Sequence, residues 1–372
     1  MSVQVLMILG AFGAGGAEKR FSQLYKYLVN NPDQDVHIDF LVPRTLIRQL
    51  PSLYQHIKGD CIKLIPFGMP YDRVNNSVLA FTLRRIDQLH LALILLHARL
   101  RSNYTVAHFI NFSALQFCRL VRADRHVWSC FNSEYLSKYL TTNRPFKKLS
   151  LKLTNIDCLS SDIAREVKKV VHSANCLVHT SPCSFIDYDS VTTAAKDKLL
   201  TFSGGLRKYK GIDLLVPALK RCLRTCPELN VQILGRGEME GFLRSELKEY
   251  IAARRVSIEH VERPPEKLKS SLMFVSLQEC ENYPSQSLIE AMATGNAIIA
   301  TNVGQTHLLV TDKTGIRINR DVDELVDAVE YLYYNKSVAI QMGKAGSSLV
   351  RSEHNASKFW HYLKAIYLSS RS

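Results

Sequence analysis

The stretch Glu279-Cys280-Glu281-Asn282-Tyr283-Pro284-Ser285-Gln286-Ser287-Leu288-Ile289-Glu290-Ala291-Met292-Ala293-Thr294-Gly295 carries the densest set of groups able to do chemistry. It sets an acidic, Ser/Gln-rich loop between the apolar run 272–277 and the start of a helix, where an open α/β sheet holds its ligand. Carboxylates and hydroxyls there can grip sugar hydroxyls, while the helix N-terminus offers free N–H groups and a positive dipole end to a phosphate. A sugar nucleotide has both groups in one molecule.

Three glycine turns stand at comparable places. Gly10-Ala11-Phe12-Gly13-Ala14-Gly15-Gly16-Ala17-Glu18 follows the first apolar run and opens a helix, so its backbone can approach a phosphate. The spacing of a nicotinamide-dinucleotide fingerprint is missing there, and Asp39 is followed by three further strand-like residues. Phe202-Ser203-Gly204-Gly205-Leu206-Arg207-Lys208-Tyr209-Lys210-Gly211-Ile212-Asp213 repeats the strand, turn and helix order. Arg207, Lys208 and Lys210 in that turn can neutralise a diphosphate; the plainer reading is a basic connecting loop. Gly235-Arg236-Gly237-Glu238 closes the next strand and can flank a base or ribose, and Gly304-Gln305-Thr306 can add N–H groups at the same crevice. The triplets Asp33-Gln34-Asp35, Asp187-Tyr188-Asp189 and Asp321-Val322-Asp323 are scattered through turns and helix starts, so no metal is expected.

Apolar runs of strand length must position these turns. Residues 3–9, 36–42, 61–66, 106–110 and 127–131 read as strands, with a helix over 17–28 between the first two. After 187–198, whose composition is that of a linker, a second series runs 199–203, 230–234, 256–259, 272–277 and 297–301. Alternation of strand and helix in two halves predicts an α/β protein of two doubly wound, Rossmann-like domains facing a cleft. The expected boundaries are 1–190, 191–353 and a C-terminal helix over 354–372 that packs back toward the N-terminal domain. That tail places Phe359, Trp360, Leu363, Ile366 and Tyr367 at helical spacing, a pattern of packing residues.

The chain has 372 residues, 46% hydrophobic and 22% charged, which suits two globular domains and argues against disorder. Its N-terminal segment lacks a basic n-region, so no signal peptide is expected, and the apolar run near 91–96 is too short to span a bilayer. Nine cysteines without CxxC pairs fit reduced thiols in a cytoplasmic protein. The net charge of +14 calls for an anionic partner. Arg84, Arg85, Arg99 and Arg101 flank the apolar helix-like run, and Arg144, Lys147, Lys148 and Lys152 are interleaved with Phe146, Leu149, Leu151 and Leu153. Both segments suit an anionic membrane surface; solvated helix faces are the alternative. No nucleic-acid motif accompanies the charge.

Taken together these motifs resemble retaining glycosyltransferase family 4, of the GT-B fold. Gly15-Gly16-Ala17-Glu18 looks like the family's N-terminal loop, Lys210-Gly211 like its phosphate-binding pair, Gly235-Arg236-Gly237 like its GxG turn, and Glu290-Ala291-Met292-Ala293 like its EAMA helix start. The resemblance implies a metal-independent, cofactor-free hexosyltransferase that moves a sugar from a nucleoside-diphosphate sugar, with retention, to a glycan or lipid-linked acceptor. It further implies assembly of a surface polysaccharide, lipopolysaccharide or glycolipid by a cytoplasmic protein, peripheral at the inner face of the membrane.

Residue by residue, the resemblance assigns Gly15, Gly16, Gly205, Arg207, Lys210, Gly235, Arg236, Glu290 and Gly304 to donor binding, with Glu290 at the ribose. Glu281 or Asn282 meets the donor sugar, since Glu281 and Glu290 enclose eight residues where the family has seven, leaving Asn282 at the strict position. The family's phosphate-binding arginine falls at Gly205, so Arg207 substitutes from two residues on. His108, at a strand end, is the candidate for the acceptor-side histidine, with a satisfied core histidine as its alternative. Two rival functions remain: a catalytically inactive binding or scaffold protein of this fold, and a sugar-nucleotide epimerase.

Overall fold

The computed structural model describes residues 2–10, 15–56, 58–69, 77–101, 103–131, 151–171, 175–188, 191–261, 264–280 and 283–369. The chain divides into two compact units, Met1–Cys183 with Ala356–Ser372, and Ser184–Asn355. The division precedes residues 187–198, the expected linker. Within that stretch Val191 is buried in a core cluster of the second unit, and the Tyr188 hydroxyl reaches the backbone oxygens of Val350 at 2.8 Å and His354 at 2.7 Å.

In the first unit, β1 (Val3–Leu9), β2 (Val36–Pro43), β3 (Ile62–Phe67), β4 (Tyr104–Ile110), β5 (Ala123–Cys130), β6 (Asn155–Cys158) and β7 (Leu177–Thr180) form a seven-stranded sheet in the order β3-β2-β1-β4-β5-β6-β7. Every neighbouring pair is parallel. A parallel sheet is covered on both faces, so its central strands read as unbroken apolar runs, as Val5–Leu9 of β1 does. The helix Gly16–Asn30 turns Phe21, Leu24, Tyr25 and Leu28 into the core at helical spacing.

The strand expected at 127–131 begins earlier because two polar residues in it are buried. The Arg125 guanidinium donates to the backbone oxygens of Ile366, Tyr367 and Ser369, capping the C-terminal end of the helix Ala356–Leu368. That helix buries Phe359, Trp360, Leu363, Ile366 and Tyr367. The Arg20 guanidinium lies 3.8 Å above the Phe359 ring, the Trp360 indole N–H donates to Asp33 at 3.0 Å, and Lys364 pairs with Asp33 and Asp35. One of the Asp-x-Asp triplets thus holds the tail.

The helix Ser77–Arg101 sends Leu91 and Leu95 into the core, and its one acid, Asp87, is buried and accepts from the Met69 N–H at 2.7 Å. It also exposes Leu79, Phe81, Ile86, Leu89, Leu93, Leu96 and Leu100. Among the described residues, no helix is long and apolar enough to cross a membrane.

The second unit holds β8 (Asp197–Ser203), β9 (Asn230–Leu234), β10 (Val256–Glu259), β11 (Ser271–Ser276), β12 (Ala297–Thr301) and β13 (Gly315–Ile318), in the order β10-β9-β8-β11-β12-β13. All of these pairs are parallel as well. Helices Ile212–Thr225, Gln286–Ala293, Val322–Tyr334 and Lys336–Glu353 connect or follow the strands. In each sheet the strand order reverses once, between β1 and β4 and between β8 and β11, and loops at the carboxyl ends there are where such sheets bind ligands.

Candidate functional site

The loops leaving β8, β9, β11 and β12 build one polar site in the second unit. The turn after β8 packs against the turn after β9: Gly204 N–H donates to Leu234 O, and Leu206 N–H to Arg236 O, both at 2.9 Å. Gly235 is required by this approach, because a Cβ on it would stand 1.9 Å from Gly204 O. Gly205 and Gly235 are half-buried, while Arg207 and Arg236 are exposed.

Residues Lys208–Lys210 then form a tight helical turn that ends in Gly211, whose φ of +82° is the left-handed conformation. A Cβ on Gly211 would meet the carbonyl oxygen of Leu277 at 2.0 Å, so only glycine lets this turn rest on the end of β11. The contact is reinforced by Glu279 N–H donating to Tyr209 O at 3.0 Å.

At that junction Lys210 Nζ donates to Gln278 Oε1 at 3.0 Å, and Thr301 Oγ1 donates to Gln278 O at 2.7 Å. Burial, with the neighbouring Arg207 cation, holds the Lys210 ammonium below its usual pKa, so an anion placed beside it would meet a poorly hydrated cation. Arg207 in turn donates to the Tyr209 hydroxyl at 3.2 Å.

The helix Gln286–Ala293 begins at the cap residue Ser285, and the Gln286 amide is fixed by Phe185 O and Ser184 Oγ. Glu290 is buried in its second turn. Beside the helix start lies a small, partly open pocket lined by Ser276, Gln278, Tyr283, Ser285, Leu288, Thr301, Val303, Thr306 and Leu309. Gly304, with φ of +51°, turns the loop that bears Val303 and Thr306. Glu281 and Asn282 lie outside the described residues.

The remaining expected site residues belong to the first unit. Gly15 caps the helix Gly16–Asn30 and both glycines are exposed. Glu18, three residues on, is buried and accepts from Asn111 Nδ2 at 3.0 Å, with burial raising its carboxyl pKa. His108 fits the second of its two readings, a satisfied core histidine: its ring is 0% exposed in the core of the first unit. Nδ1 lies 2.5 Å from the Tyr367 hydroxyl and Nε2 lies 2.8 Å from Ser129 Oγ. Since Ser129 donates onward to Asp157 at 2.7 Å, the consistent assignment has Nε2 carrying the proton and Nδ1 accepting. Burial pushes its pKa down to about 3, so the imidazole is neutral.

Sequence reasoning missed Gln278 as the partner of Lys210. The only local signal was the position of Gln278 just past an apolar run.

Residues 187–348 match the family model for glycosyl transferases group 1. This segment is a glycosyl transferases group 1 domain. It contains every residue of the second-unit site described above except Ser184 and Phe185, which precede it, and it includes the whole Lys210–Gln278 junction. The chain is 26% identical over 218 residues to a D-inositol 3-phosphate glycosyltransferase of Corynebacterium aurimucosum, a match covering 51% of this chain and 52% of that protein. A protein of the same description from Corynebacterium diphtheriae is 29% identical over 174 residues, covering 44% and 39%. The chain thus spans about half the length, or less, of these curated relatives.

Solved structures match over almost the whole length. HepE of Anabaena, solved in complex with UDP and glucose, superposes with a TM-score of 0.73 at 13% identity, covering 99% of this chain and 100% of that one. Sucrose-phosphate synthase of Thermosynechococcus elongatus gives 0.73 at 16% identity, with 98% of each chain covered. Likeness at such low identity establishes the fold, two Rossmann-like units of the GT-B type.

Proposed function

We propose that this chain is a retaining glycosyltransferase that moves a sugar from a nucleoside-diphosphate sugar to a glycan or lipid-linked acceptor, in assembly of a surface polysaccharide, lipopolysaccharide or glycolipid. The observation that carries this reading is the Lys210–Gln278 junction: a partly buried cation fixed at the switch point of the group 1 domain, beside a pocket at a helix start. Lys210 and Arg207 stabilise the diphosphate as the bond from the sugar C1 to the phosphate oxygen breaks. The acceptor hydroxyl forms the new bond to C1 on the same face, and its proton passes to the departing diphosphate oxygen. Glu290 orients the ribose, Glu281 or Asn282 the sugar, and the glycine turns at Gly205, Gly235 and Gly304 bring backbone N–H groups close. Gly15 and Gly16 contribute the corresponding turn of the first unit. Lys210 and Arg207 stand in for a metal, so none is required.

The test is slow hydrolysis of a panel of nucleotide sugars by the native protein, Lys210→Ala and Glu290→Ala. Turnover of one donor that both substitutions abolish is the expected result. If no donor is bound or turned over, the enzyme reading falls and the inactive binding protein takes its place, a reading that Gly205 at the expected arginine position favours. Conversion of the donor sugar without transfer or hydrolysis would indicate an epimerase.

The partner surface that suits this activity is an anionic membrane, with the protein peripheral at its cytoplasmic face. Exposed leucines on the helix Ser77–Arg101 stand among exposed Arg84, Arg85 and Arg99, and the only acid of that helix is buried. Vesicle binding should rise with anionic lipid and fall with salt. Equal binding to neutral vesicles would remove this part of the reading. The basic segment 144–150 lies outside the described residues.

A further inference from the structure

Two carboxylates stand next to the proposed diphosphate site, where they should repel an anion. Asp213 lies in the first turn of the helix Ile212–Thr225, three residues after Lys210. Glu279 adjoins Gln278, the residue to which Lys210 donates. Their side chains are 34% and 39% exposed, so neither is removed from the field a ligand would feel.

Both acids meet a single cation from a third element. Arg320, two residues past β13, places one guanidinium nitrogen 2.7 Å from each carboxylate oxygen of Asp213 and 3.0 Å from Glu279 Oε1. The turn after β8 and the loop after β11 are already joined by Glu279 N–H to Tyr209 O, so Arg320 is not needed to hold these two to each other. One arginine shared by two acids does something further: it reduces their summed charge from two negative to one.

Resting on the transferase reading, we propose that Arg320 is a positioning residue that screens Asp213 and Glu279 from the donor diphosphate, leaving Lys210 and Arg207 to set the local potential. The ligand class is the nucleoside-diphosphate part of the donor, and the effect acts through binding rather than through contact with the sugar. Like charges brought together at a binding surface oppose association, and the opposition weakens with salt.

Calorimetric titration with UDP, GDP, ADP, CDP and inorganic pyrophosphate provides the test. In Arg320→Ala the affinity for whichever of these the native protein binds is expected to fall about tenfold at low salt, and the deficit to shrink toward twofold at about 0.5 M salt. Adding Asp213→Asn and Glu279→Gln to Arg320→Ala should restore affinity to within about twofold, because neutral amides need no screening. In turnover, Arg320→Ala should raise the donor KM and leave kcat nearly unchanged. A triple variant as weak as the single one shows a mechanical staple and overturns the proposal, as does an Arg320→Ala protein that binds like the native one. A native protein that binds none of the five ligands overturns the transferase reading and this proposal together, so the two failures are told apart by the native titration.

Discussion

Lys210 Nζ and Gln278 Oε1 stand 3.0 Å apart, tying the cationic turn after β8 to the loop after β11 across the switch point of the second sheet. Charge-assisted hydrogen bonds to an anion contribute roughly 1.5–3 kcal/mol. Lys210→Ala is therefore expected to weaken nucleoside-diphosphate binding about ten- to hundredfold, and Gln278→Ala, which only loosens the ammonium, by less than tenfold. Calorimetry on both variants checks the order; a larger effect from Gln278→Ala would refute it.

Gly211 predicts a stability effect without a ligand. Its φ of +82° and the 2.0 Å separation that a Cβ would have from Leu277 O combine two costs. The left-handed conformation costs about 1–2 kcal/mol for a residue with a side chain, and forced repacking typically about 1–3 kcal/mol. Gly211→Ala should lower the urea midpoint of the second unit, followed by hydrogen exchange in β8 and β11. An unchanged midpoint would show that the turn can rotate away from Leu277.

His108 gives a pH dependence with a defined sign. Its pKa is lowered to about 3 in the folded protein, against an ordinary value near 6.5, because burial disfavours the imidazolium. Between these values the unfolded chain binds the extra proton, so stability rises with pH across that window and is lost as pH falls through it. One such group contributes at most about 1.4 kcal/mol per pH unit. His108→Asn should flatten the decline of the melting temperature between pH 6.5 and 4, relative to the native protein, whatever its effect at pH 7. Parallel curves would mean that His108 is not the group responsible.

The C-terminal helix should be essential to the first unit. Phe359 is 0% exposed, edge-on to Phe21 at 5.7 Å between centroids and capped by Arg20. Phe359→Ala is expected to cost about 3–5 kcal/mol. Both tryptophans, Trp128 and Trp360, lie in this unit, so tryptophan fluorescence reports its unfolding selectively. A fluorescence transition unmoved by Phe359→Ala would sink the assignment of this helix to the first unit's core.

Much of the architecture was legible in the residues themselves. The bounds of β1, β9, β10 and β12 coincide with the runs read from the chain, most plainly in the interior strand β12, whose five residues are all buried between the covered faces of a parallel sheet. By contrast β6, β7 and β13 have only four residues each and include Asn155, Asp157, His179 and Arg317, so no apolar run marks them. Asp157 of β6 is satisfied by a distant partner, the Tyr362 hydroxyl, which donates to it at 2.7 Å.

The same division holds at the site. Local sequence determined the glycine turns, the helix starts and the basic turn at Lys210, since each depends on backbone sterics and on residues a few positions apart. Only the tertiary structure decided that Gln278 holds Lys210, that Arg320 pairs with an aspartate 107 positions away, and that His108 is a core residue. Those relationships come from strand order, which places the ends of β8 and β11 side by side although some seventy residues separate them in the chain. A side chain's type shows which interactions it can make; which of them it makes depends on the groups that folding brings within about 3 Å.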